Sequence, residues 1–387
     1  MIRTSTVLGS LSVERFLSQY WQKEPLLVRG AFPSLHDPLS PDELAGLACE
    51  PEVDSRLVMQ RGGRKPWQVI RGPQNPKVLR KLGRSHWTLL VESMDRHCAP
   101  IAALASAFSF IPKWRMDDVM VSLSPLHGTV DAHIDSYDVF LIQGQGRRRW
   151  EVDRRSTADY KPGLDLRILK RFRAEDSWVL DPGDMLYVPP GVGHRGVTVP
   201  GSAEIALTDS VGFRAPSVAD LLSTLLSRAL SQEAPRLFSD AGRKPGKDAG
   251  EISGQDLLSL RRFLVADLES AGGDAWALAM GEAVTAGGSA GVSAARATAH
   301  SVSRRLEGGS TVSVVPGARM AWTALDRGRA ALFVNGESRV LPRPQAFALA
   351  FLCGNSSRSA ARRVATQEPL LSLAVDLFRA GVIDWSD

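Results

Sequence analysis

The sequence predicts a mixed α+β protein, with a β-barrel or jelly roll followed by a helical region and a small module of helices and one hairpin. Between residues 117 and 209, short segments rich in Val, Ile, Leu, Tyr and Trp alternate with the turns QGQG, DPGD and PPGVG, a pattern typical of barrels and jelly rolls. From Pro216 onward, apolar residues recur at helical spacing. Near the C-terminus, Asn335-Gly336 separates two apolar segments, which indicates a β-hairpin.

Two helices are expected before the barrel. Apolar residues on one face predict the first over residues 12–23: Val13, Phe16, Leu17, Tyr20 and Trp21. The second begins at Ser40, because Ser40 can cap it, Pro41 suits a first turn and Glu43 completes a capping box. Six strands follow in the barrel, over residues 117–123, 137–143, 147–152, 177–180, 185–188 and 204–208.

The C-terminal part is expected to be mainly helical. Two amphipathic stripes need an apolar partner, either within the chain or in a second copy: Val218, Leu221, Leu222, Leu225 and Ala229, and then Leu257, Leu260, Leu264 and Leu268. Helices around one hairpin are typical of a winged-helix-like module. Such modules bind DNA in some proteins and are scaffolds in others. Since no helix here is densely basic, we expect no direct sequence-specific contact with nucleic acid.

Composition limits the protein's surroundings. The 387 residues carry a net charge of +5, mostly from arginine. This balance favours an acidic or nucleic-acid-rich partner such as a ribosome, although an arginine-rich proteome produces it without such a partner. The N-terminus lacks a signal peptide's apolar core, and no apolar run approaches the roughly 20 residues of a membrane span. Three scattered cysteines match no zinc spacing, so we expect a cytoplasmic protein with no membrane partner.

Ionisable residues stand at the mouth of a strand that should be buried, in the stretch DAHIDSYDVF. His133 and Asp135 are two residues apart and therefore project from the same face of an extended segment. Further on, His194 follows the tight turn PPGVG. Two histidines and one carboxylate form a facial triad with open metal positions, which suits a non-haem Fe(II) oxygenase. The alternative is that His133 and Asp135 form an ordinary hydrogen-bonded pair.

A co-substrate site is expected beside the triad. In GRRRW, strand alternation places Arg148 on one side with Trp150, and Arg147 and Arg149 on the other. An inward guanidinium can pair with the distal carboxylate of 2-oxoglutarate, whereas an outward one is solvated. Ser124 can add a hydroxyl to the same carboxylate. If Ser124 points inward, so do the alternating residues of its strand: Asp118, Met120 and Ser122.

Five stretches together resemble the bacterial ribosomal oxygenases, a branch of the cupin-fold Jumonji C hydroxylases: SPDELAGLACEPEVDSRLV, WRMDDVMVSLS, HIDSYDVFLIQGQGRRRW, LDPGDMLYVPPGVGH and SVGFRAPS. They cover most of residues 10–220. The resemblance implies a double-stranded β-helix of Jumonji C type as the catalytic domain over residues 1–213. A helical dimerisation region over 214–300 and a winged-helix-like domain over 301–387 would follow, in a homodimer.

The resemblance also implies the roles of individual residues. His133, Asp135 and His194 would be the catalytic ligands of Fe(II). Arg148, helped by Ser124, would bind 2-oxoglutarate, and dioxygen would be the second co-substrate. The substrate would be an arginine side chain of a large-subunit ribosomal protein.

The substrate pocket is implied in the same way. Asp118 would pair with the guanidinium of the substrate arginine. Met120 and Tyr137 would flank its flat face and its aliphatic stem, and Ser210 would line the same pocket. The residue types suit a guanidinium, which needs a carboxylate for its forked donors and an aromatic plane for stacking.

Two alternatives remain open. The same chemistry could act on a histidine or lysine side chain, because Asp118 favours a cationic target without separating arginine from lysine. A non-catalytic cupin scaffold that binds the ribosome would need neither iron nor 2-oxoglutarate. The loop PLHGTVDA differs from the glycine-rich loop of the family, and its His127 and Asp131 are expected to be additional polar groups near the metal.

Overall fold

The computed structural model describes residues 7–33, 38–61, 66–201, 203–230, 237–239, 241, 252–270, 273–291, 297–342, 346–354 and 357–386. The chain divides into two compact units, Met1–Ala215 and Pro216–Asp387. The division of the second unit at residue 300, expected from the sequence, stays a prediction.

The N-terminal unit contains four α-helices in its described part: α1 (Val13–Gln19), α2 (Pro41–Leu47), α3 (Pro76–Leu79) and α4 (Ala99–Ser106). The side chain of Ser12 caps α1. The predicted capping box is present in α2, where Ser40 and Glu43 satisfy each other's backbone N–H groups.

Helix α1 is shorter than the predicted 12–23. Gln22 adopts a left-handed φ of 58°, which an α-helix does not accommodate. The chain turns there, and Tyr20 and Trp21 still pack against Phe16, with ring centroids 6.4 and 6.1 Å away. The apolar spacing therefore marked residues that share a core, except Leu17, which is 37% exposed, and Tyr20 and Trp21 reach the core from a turn.

Twelve strands of the described part build two antiparallel sheets. The larger has the order β1-β10-β7-β12-β5-β4-β2-β3 and the smaller β6-β11-β8-β9. The strands are β1 (Leu26–Val28), β2 (Ser55–Gln60), β3 (Trp67–Arg71), β4 (Trp87–Val91), β5 (Met116–Pro125), β6 (His133–Ile134), β7 (Asp138–Gln145), β8 (Arg148–Asp153), β9 (Asp176–Leu180), β10 (Met185–Val188), β11 (Gly193–Thr198) and β12 (Ile205–Phe213).

Alternation along the strands divides the core into two layers. Phe140 and Ile142 of β7 join a large cluster with residues of α1, α2 and α4. Their neighbours Val139 and Leu141 instead pack with Trp150 and other residues of the smaller sheet. The two sheets therefore enclose an apolar interior, which is the jelly roll that the sequence predicts.

Six predicted strands match β5, β7, β8, β9, β10 and β12 to within a few residues, except that β12 continues to Phe213. Strands β2, β3 and β4, which extend the larger sheet beyond β5, were not predicted. His194 follows the tight turn, as predicted, and lies on β11, a strand that was not predicted. Strand β11 escapes notice because GHRGVT contains two glycines, which weaken a strand pattern.

The second unit contains seven helices and five strands in its described part. They are α5 (Val218–Leu230), α6 (Gly254–Ser270), α7 (Gly273–Thr285), α8 (Ala299–Glu307), β13 (Val312–Val314), β14 (Met320–Leu325), β15 (Arg329–Val334), β16 (Glu337–Pro342), α9 (Ala346–Leu352), α10 (Arg358–Thr366), α11 (Glu368–Arg379) and β17 (Ile383–Trp385). The predicted hairpin joins β15 to β16, and both Asn335 and Gly336 have positive φ, as a type I′ turn requires. The winged-helix-like character stays a prediction.

Helices α5 and α6 expose apolar side chains. Val218, Leu222 and Leu226 of α5 are 73, 47 and 59% exposed, and Leu257, Leu260 and Leu264 of α6 are 57, 43 and 60% exposed. The side chains of Ala229 and Leu268, which belong to the predicted stripes, lie outside the described residues. Within the described part of the chain, no helix is both long and apolar enough to span a membrane.

Candidate metal and co-substrate site

The predicted metal ligands meet at one end of the smaller sheet. Strand β6 pairs with β11 so that His133 lies directly opposite His194. Asp135 follows β6 immediately, and its carbonyl oxygen accepts a hydrogen bond of 3.0 Å from the Gly191 backbone N–H. The PPGVG turn is therefore fastened to the segment that carries the carboxylate. This pairing brings together residues that are far apart in the sequence.

The three side chains converge on a common point. One ligand atom from each of His133, Asp135 and His194 lies within 4.8 Å of the others, the only such group of three in the described residues. The Nε2 atom of His133 is 3.8 Å from Oδ1 of Asp135, and Nε2 of His194 is 3.4 Å from its Oδ2. Two imidazole nitrogens and one carboxylate suit a divalent transition metal such as Fe(II).

Backbone carbonyls fix both imidazoles in the orientation that metal binding needs. Nδ1 of His133 lies 3.0 Å from the carbonyl oxygen of Asp131, and Nδ1 of His194 lies 3.2 Å from that of Val192. A carbonyl only accepts hydrogen bonds, so each Nδ1 must carry the proton. The lone pair of each neutral ring is then on Nε2, which faces Asp135.

Electrostatics keep the triad in its metal-binding protonation state. Burial, together with the neighbouring His194, lowers the pKa of His133, which favours the neutral ring. Burial alone would raise the pKa of Asp135, but the adjacent imidazoles of His194 and His133 outweigh it and lower the pKa to about 2. At neutral pH the carboxylate is ionised and can bind a cation.

Arg148 is a buried cation in the barrel interior, only 2% exposed. Its Nη1 donates to Ser122 Oγ at 2.9 Å, its Nη2 to the Gly196 carbonyl at 3.4 Å, and its Cζ lies 4.9 Å from the Trp150 ring centroid. Burial lowers the pKa of Arg148 to about 10, so the group stays charged at neutral pH.

No carboxylate of the described residues forms an ion pair with Arg148, and its buried Nε has no hydrogen-bond partner among them. A buried charge without a counter-ion is costly. A dianion such as 2-oxoglutarate supplies the missing charge, so the side chains that are present fit this co-substrate.

The outward arginines behave as alternation predicts. Arg149 is exposed, and Arg147 donates to Asp181 Oδ1 at 2.7 Å on the surface. Ser124 is buried, and its hydroxyl lies 2.9 Å from Thr88 Oγ1, whereas the hydroxyl that contacts Arg148 belongs to Ser122. The role of Ser124 at the co-substrate stays a prediction.

Gly196 makes room for the stacked arginine. A Cβ atom there would lie 2.7 Å from Arg148 Nε and 2.7 Å from the Trp150 ring, closer than real Cβ contacts allow. Together with Ser122 and Trp150, Gly196 forms the surroundings of Arg148. Alternation places Trp150 beside Arg148, but nothing in the sequence connects Gly196 to them.

The predicted substrate residues line the interior of the larger sheet. Met120 of β5 lies directly opposite Ser210 of β12, and Asp118 precedes Met120 on the same face. Asp118 Oδ2 accepts a hydrogen bond of 2.8 Å from the Ser93 backbone N–H. The structure thus places all three on one side of the barrel, and their contact with a substrate stays a prediction.

Acidic groups dominate this part of the interior. Burial raises the pKa of Asp118 to about 6 despite the hydrogen bond from Ser93, and the charges of Asp117 and Asp95 add to the increase. Burial also raises the pKa of Tyr137, and the charge of Asp135 is the next cause. Tyr137 therefore lies near both carboxylates and stays a neutral phenol. A cation would relieve the repulsion among these acids.

The two polar residues of PLHGTVDA differ in their surroundings. Asp131 belongs to the site through its carbonyl oxygen, which holds His133. The His127 side chain is exposed and packs against His86, with ring centroids 5.1 Å apart.

Comparisons with known proteins relate the chain to one family. A family model described as "JmjC domain" matches residues 103–221. The chain is 41% identical over 252 residues to "Ribosomal protein uL16 3-hydroxylase" of Escherichia coli (strain K12), and the match covers 65% of each chain. The matched sequence therefore spans just under two thirds of that relative.

Solved structures extend the likeness over nearly the whole chain. The X-ray structure of E. coli YcfD aligns with a TM-score of 0.83 and 32% identity, covering 97% of this chain and 99% of that one. A structure of YcfD, described as a ribosomal oxygenase in complex with cobalt and 2-oxoglutarate, aligns with a TM-score of 0.81 and 31% identity, covering 98% and 99% of the two chains. The jelly roll, the histidine–carboxylate cluster and these likenesses together show that the chain belongs to the JmjC ribosomal oxygenases.

Proposed function

We propose that this protein is an Fe(II)- and 2-oxoglutarate-dependent dioxygenase that hydroxylates an arginine side chain of a large-subunit ribosomal protein of the uL16 type. The observation that carries the proposal is that three converging metal-ligand side chains and a buried guanidinium without a described counter-ion lie in the same barrel. His133, Asp135 and His194 converge within 4.8 Å, and Arg148 lies in the same barrel without a counter-ion among the described residues.

In this proposal, His133, Asp135 and His194 hold the iron and leave the remaining positions open. Bound Fe(II), with 2-oxoglutarate and dioxygen, supplies an oxidant able to hydroxylate an unactivated carbon. The task of the protein is to orient the reactants and to exclude water. The Asp131 and Val192 carbonyls keep the imidazoles in one orientation, so little reorganisation is needed when the metal binds.

Arg148 selects and orients the co-substrate. Its guanidinium matches a carboxylate with two parallel hydrogen bonds. Nη1 is held by Ser122 and the face of the guanidinium by Trp150, which fixes its plane before 2-oxoglutarate arrives. Alternation places Ser124 on the same face of β5 as Ser122, and we propose that Ser124 also helps to bind the co-substrate.

Asp118, Met120, Tyr137 and Ser210 receive the substrate arginine. The Asp118 carboxylate would accept from the guanidinium, and Tyr137 and Met120 would pack on its flat face and stem. Ser210, opposite Met120, would add a hydroxyl. The acidic surroundings of Asp118 favour a cation, and this supports arginine over a neutral histidine. Lysine shares the charge but lacks the fork that a carboxylate binds in two places.

The decisive experiment is mass spectrometry of a synthetic uL16 peptide containing one arginine, incubated with the enzyme, Fe(II), 2-oxoglutarate and ascorbate. We expect a gain of one oxygen atom on the arginine and equimolar succinate. Asp135→Ala should abolish both, while His127→Ala, a change outside the triad, should retain them. A peptide with lysine or histidine at that position should not be oxidised.

The outcomes separate the alternatives. Oxidation of the lysine or histidine peptide would move the target to that side chain. Failure to form succinate, with iron shown to be bound, would contradict the oxygenase itself and favour a scaffold. Retained turnover in Asp135→Ala would contradict the metal assignment.

We further propose that the protein is a cytoplasmic homodimer formed through α5 and α6. The support is the exposed apolar face of both helices, where Val218 and Leu264 are 73 and 60% exposed. Burying such a face against a second copy contributes stabilisation roughly proportional to its area. Light scattering at micromolar concentration should give the dimer mass, and a Leu222→Glu and Leu260→Glu double variant should give the monomer. A wild-type monomer would contradict this part.

A further inference from the structure

One loop holds most of the protein's excess positive charge. Residues 154–175, between β8 and β9, contain seven arginine and lysine residues against three aspartate and glutamate residues, a net charge of +4 compared with +5 for the whole chain. We call this segment the basic loop. All other residues of the chain together carry a net charge of only +1.

The basic loop is anchored beside the metal ligands. Its Leu169 backbone N–H donates to the Ala132 carbonyl at 2.8 Å, next to His133. A Cβ at Gly193, next to His194, would collide with the side chain of Ser156 in the loop. Ile168 and Leu169 are buried. The loop is therefore packed against both ligand-bearing segments, and its charges stand at a defined place near the candidate active site.

Part of the basic loop's charge is used internally. Arg154 pairs with Glu24 and Asp176, and Arg155 with Glu175. Lys161 pairs with Asp131, and Lys170 pairs with Asp159.

Three arginines of the basic loop differ from these residues. Arg167, Arg171 and Arg173 are exposed. In the part of the chain that the structure describes, none of them has a carboxylate within ion-pair distance. They are thus available to an external anion.

Aromatic rings accompany the cations. Arg167 lies over Tyr160, with its Cζ 4.9 Å from the ring centroid, and Arg195 lies over Phe172 of the basic loop at 5.4 Å. Arginine guanidinium groups and aromatic planes next to each other are the elements with which proteins hold single-stranded nucleic acid, through phosphate contacts and base stacking.

We propose that the basic loop binds RNA without sequence preference and so holds the enzyme beside an RNA-associated form of its substrate. The inference rests on the proposed function, because only a ribosomal-protein substrate would bring this enzyme to RNA. Arg167, Arg171 and Arg173 would contact consecutive phosphates. An acidic protein could pair with the same arginines, but it would have no bases to stack on the aromatic rings. Such binding is distinct from the sequence-specific contact that the sequence argues against.

The test is fluorescence anisotropy of a labelled single-stranded RNA with the full-length, Fe(II)-loaded enzyme over a series of KCl concentrations. The test variant is Arg167→Gln, Arg171→Gln and Arg173→Gln combined. The matched control removes three exposed arginines of the second unit: Arg304→Gln, Arg327→Gln and Arg362→Gln combined. We expect the loop variant to lose at least tenfold in RNA affinity at low salt and the control to lose less than threefold. The salt slope should fall by about 2 in the loop variant, at about 0.7 per phosphate contact.

Hydroxylation of the free peptide separates this inference from the proposed function. The loop variant should oxidise the isolated peptide at the wild-type rate, since no loop residue belongs to the triad or the substrate pocket. Equal losses of RNA affinity in both variants would overturn the inference, because they would show only the effect of total charge. Displacement of the RNA by polyglutamate as effectively as by unlabelled RNA would also overturn it, in favour of an acidic protein partner.

Discussion

Arg148 and Trp150 form a stacked pair inside the barrel, with the guanidinium carbon 4.9 Å from the ring centroid. They are two residues apart on β8 and therefore project from the same face of the strand. The ring covers one face of the cation, while Ser122 and the Gly196 carbonyl take two of its N–H groups. The plane of the Arg148 guanidinium is therefore fixed, and its other N–H groups can donate to a carboxylate ligand.

Replacing Arg148 with lysine should weaken 2-oxoglutarate binding while the metal site is retained. Lysine keeps the charge but loses the fork and the stacking on Trp150. We expect the KM for 2-oxoglutarate to rise between about tenfold and a hundredfold, the equivalent of roughly 1.5–3 kcal/mol for a charged hydrogen-bonded contact. Steady-state kinetics with saturating peptide measures this. Arg149→Lys, on the outward face, is the control and should leave the KM unchanged; a similar increase there would contradict the assignment.

Gly196→Ala should produce a comparable loss through crowding alone. The new Cβ would stand 2.7 Å from both Arg148 Nε and the Trp150 ring, so the stacked pair must move. Calorimetry should show weaker 2-oxoglutarate binding with unchanged stoichiometry of the metal. Gly46→Ala is the matched change, because a Cβ at this helical glycine meets no atom within 4 Å. Unchanged co-substrate affinity in Gly196→Ala would show that the pair tolerates displacement.

Substrate capture should depend on the ionisation of Asp118, whose pKa is raised to about 6. The carboxylate attracts the guanidinium only when ionised, so kcat/KM for the peptide should fall as the pH drops through about 6. Asp118→Asn should lower kcat/KM at pH 7.5 and remove this step from the profile. Asp117→Asn should keep the step in the pH profile. Loss of the step in Asp117→Asn would show that the titration had been assigned to the wrong carboxylate.

Asp118 should also lower the free energy of unfolding at neutral pH. Its pKa is higher in the folded state, at about 6, than in the unfolded chain, at about 3.9. Ionisation therefore costs folding free energy, fully above pH 6, and the cost disappears as the pH falls from 6 to 4. Urea unfolding should find Asp118→Asn more stable than wild type by roughly 1–2 kcal/mol at pH 8, with the gap closing at pH 4. A difference in the free energy of unfolding between Asp118→Asn and wild type that grows at low pH would contradict this prediction.

Asp138 should be a major contributor to stability on the far side of the larger sheet. It is fully buried and accepts hydrogen bonds from Tyr187 Oη at 2.6 Å and from Gln22 and Arg115 at 3.2 Å. Asp138→Ala leaves these donors without their acceptor and should cost about 3–5 kcal/mol. Tyr187→Phe removes the hydrogen bond to Asp138 and the one that Tyr187 Oη accepts from the Gln22 backbone N–H, and should cost about 1–3 kcal/mol. Denaturant unfolding with a probe in the first unit tests both variants. Equal losses in the free energy of unfolding would contradict a hydrogen-bond network centred on Asp138.

Local sequence signals predicted a large part of the barrel and its site. The HxD spacing and the alternation in GRRRW placed His133 with Asp135 and turned Arg148 inward, because both follow from the two-residue period of a strand. Alternation alone did not choose between Ser122 and Ser124, which share a face of β5. That choice depends on β4, where Thr88 contacts Ser124 and leaves Ser122 to Arg148.

Long-range pairing explains the other differences. Strands β2, β3 and β4 have short, mixed patterns (SRLVMQ, WQVIR and WTLLV), and their strand character depends on pairing with one another and with β5. The strand that carries His194 was not predicted, because Gly193 and Gly196 weaken the strand signal. Both glycines are needed where Ser156 and the stacked Arg148 approach the backbone, a requirement that only the assembled barrel reveals.

Strand β6 contains only two residues and pairs on one side only, at the margin of the smaller sheet. One of those two residues is His133, and Asp135 comes directly after them. Because β6 is this short, few contacts hold it to β11. A metal ion bound by His133, Asp135 and His194 would link the two strands, because its ligands would come from both sides of their pairing. Loss of the ion would then destabilise the pairing of β6 with β11, and separation of the two strands would weaken ion binding.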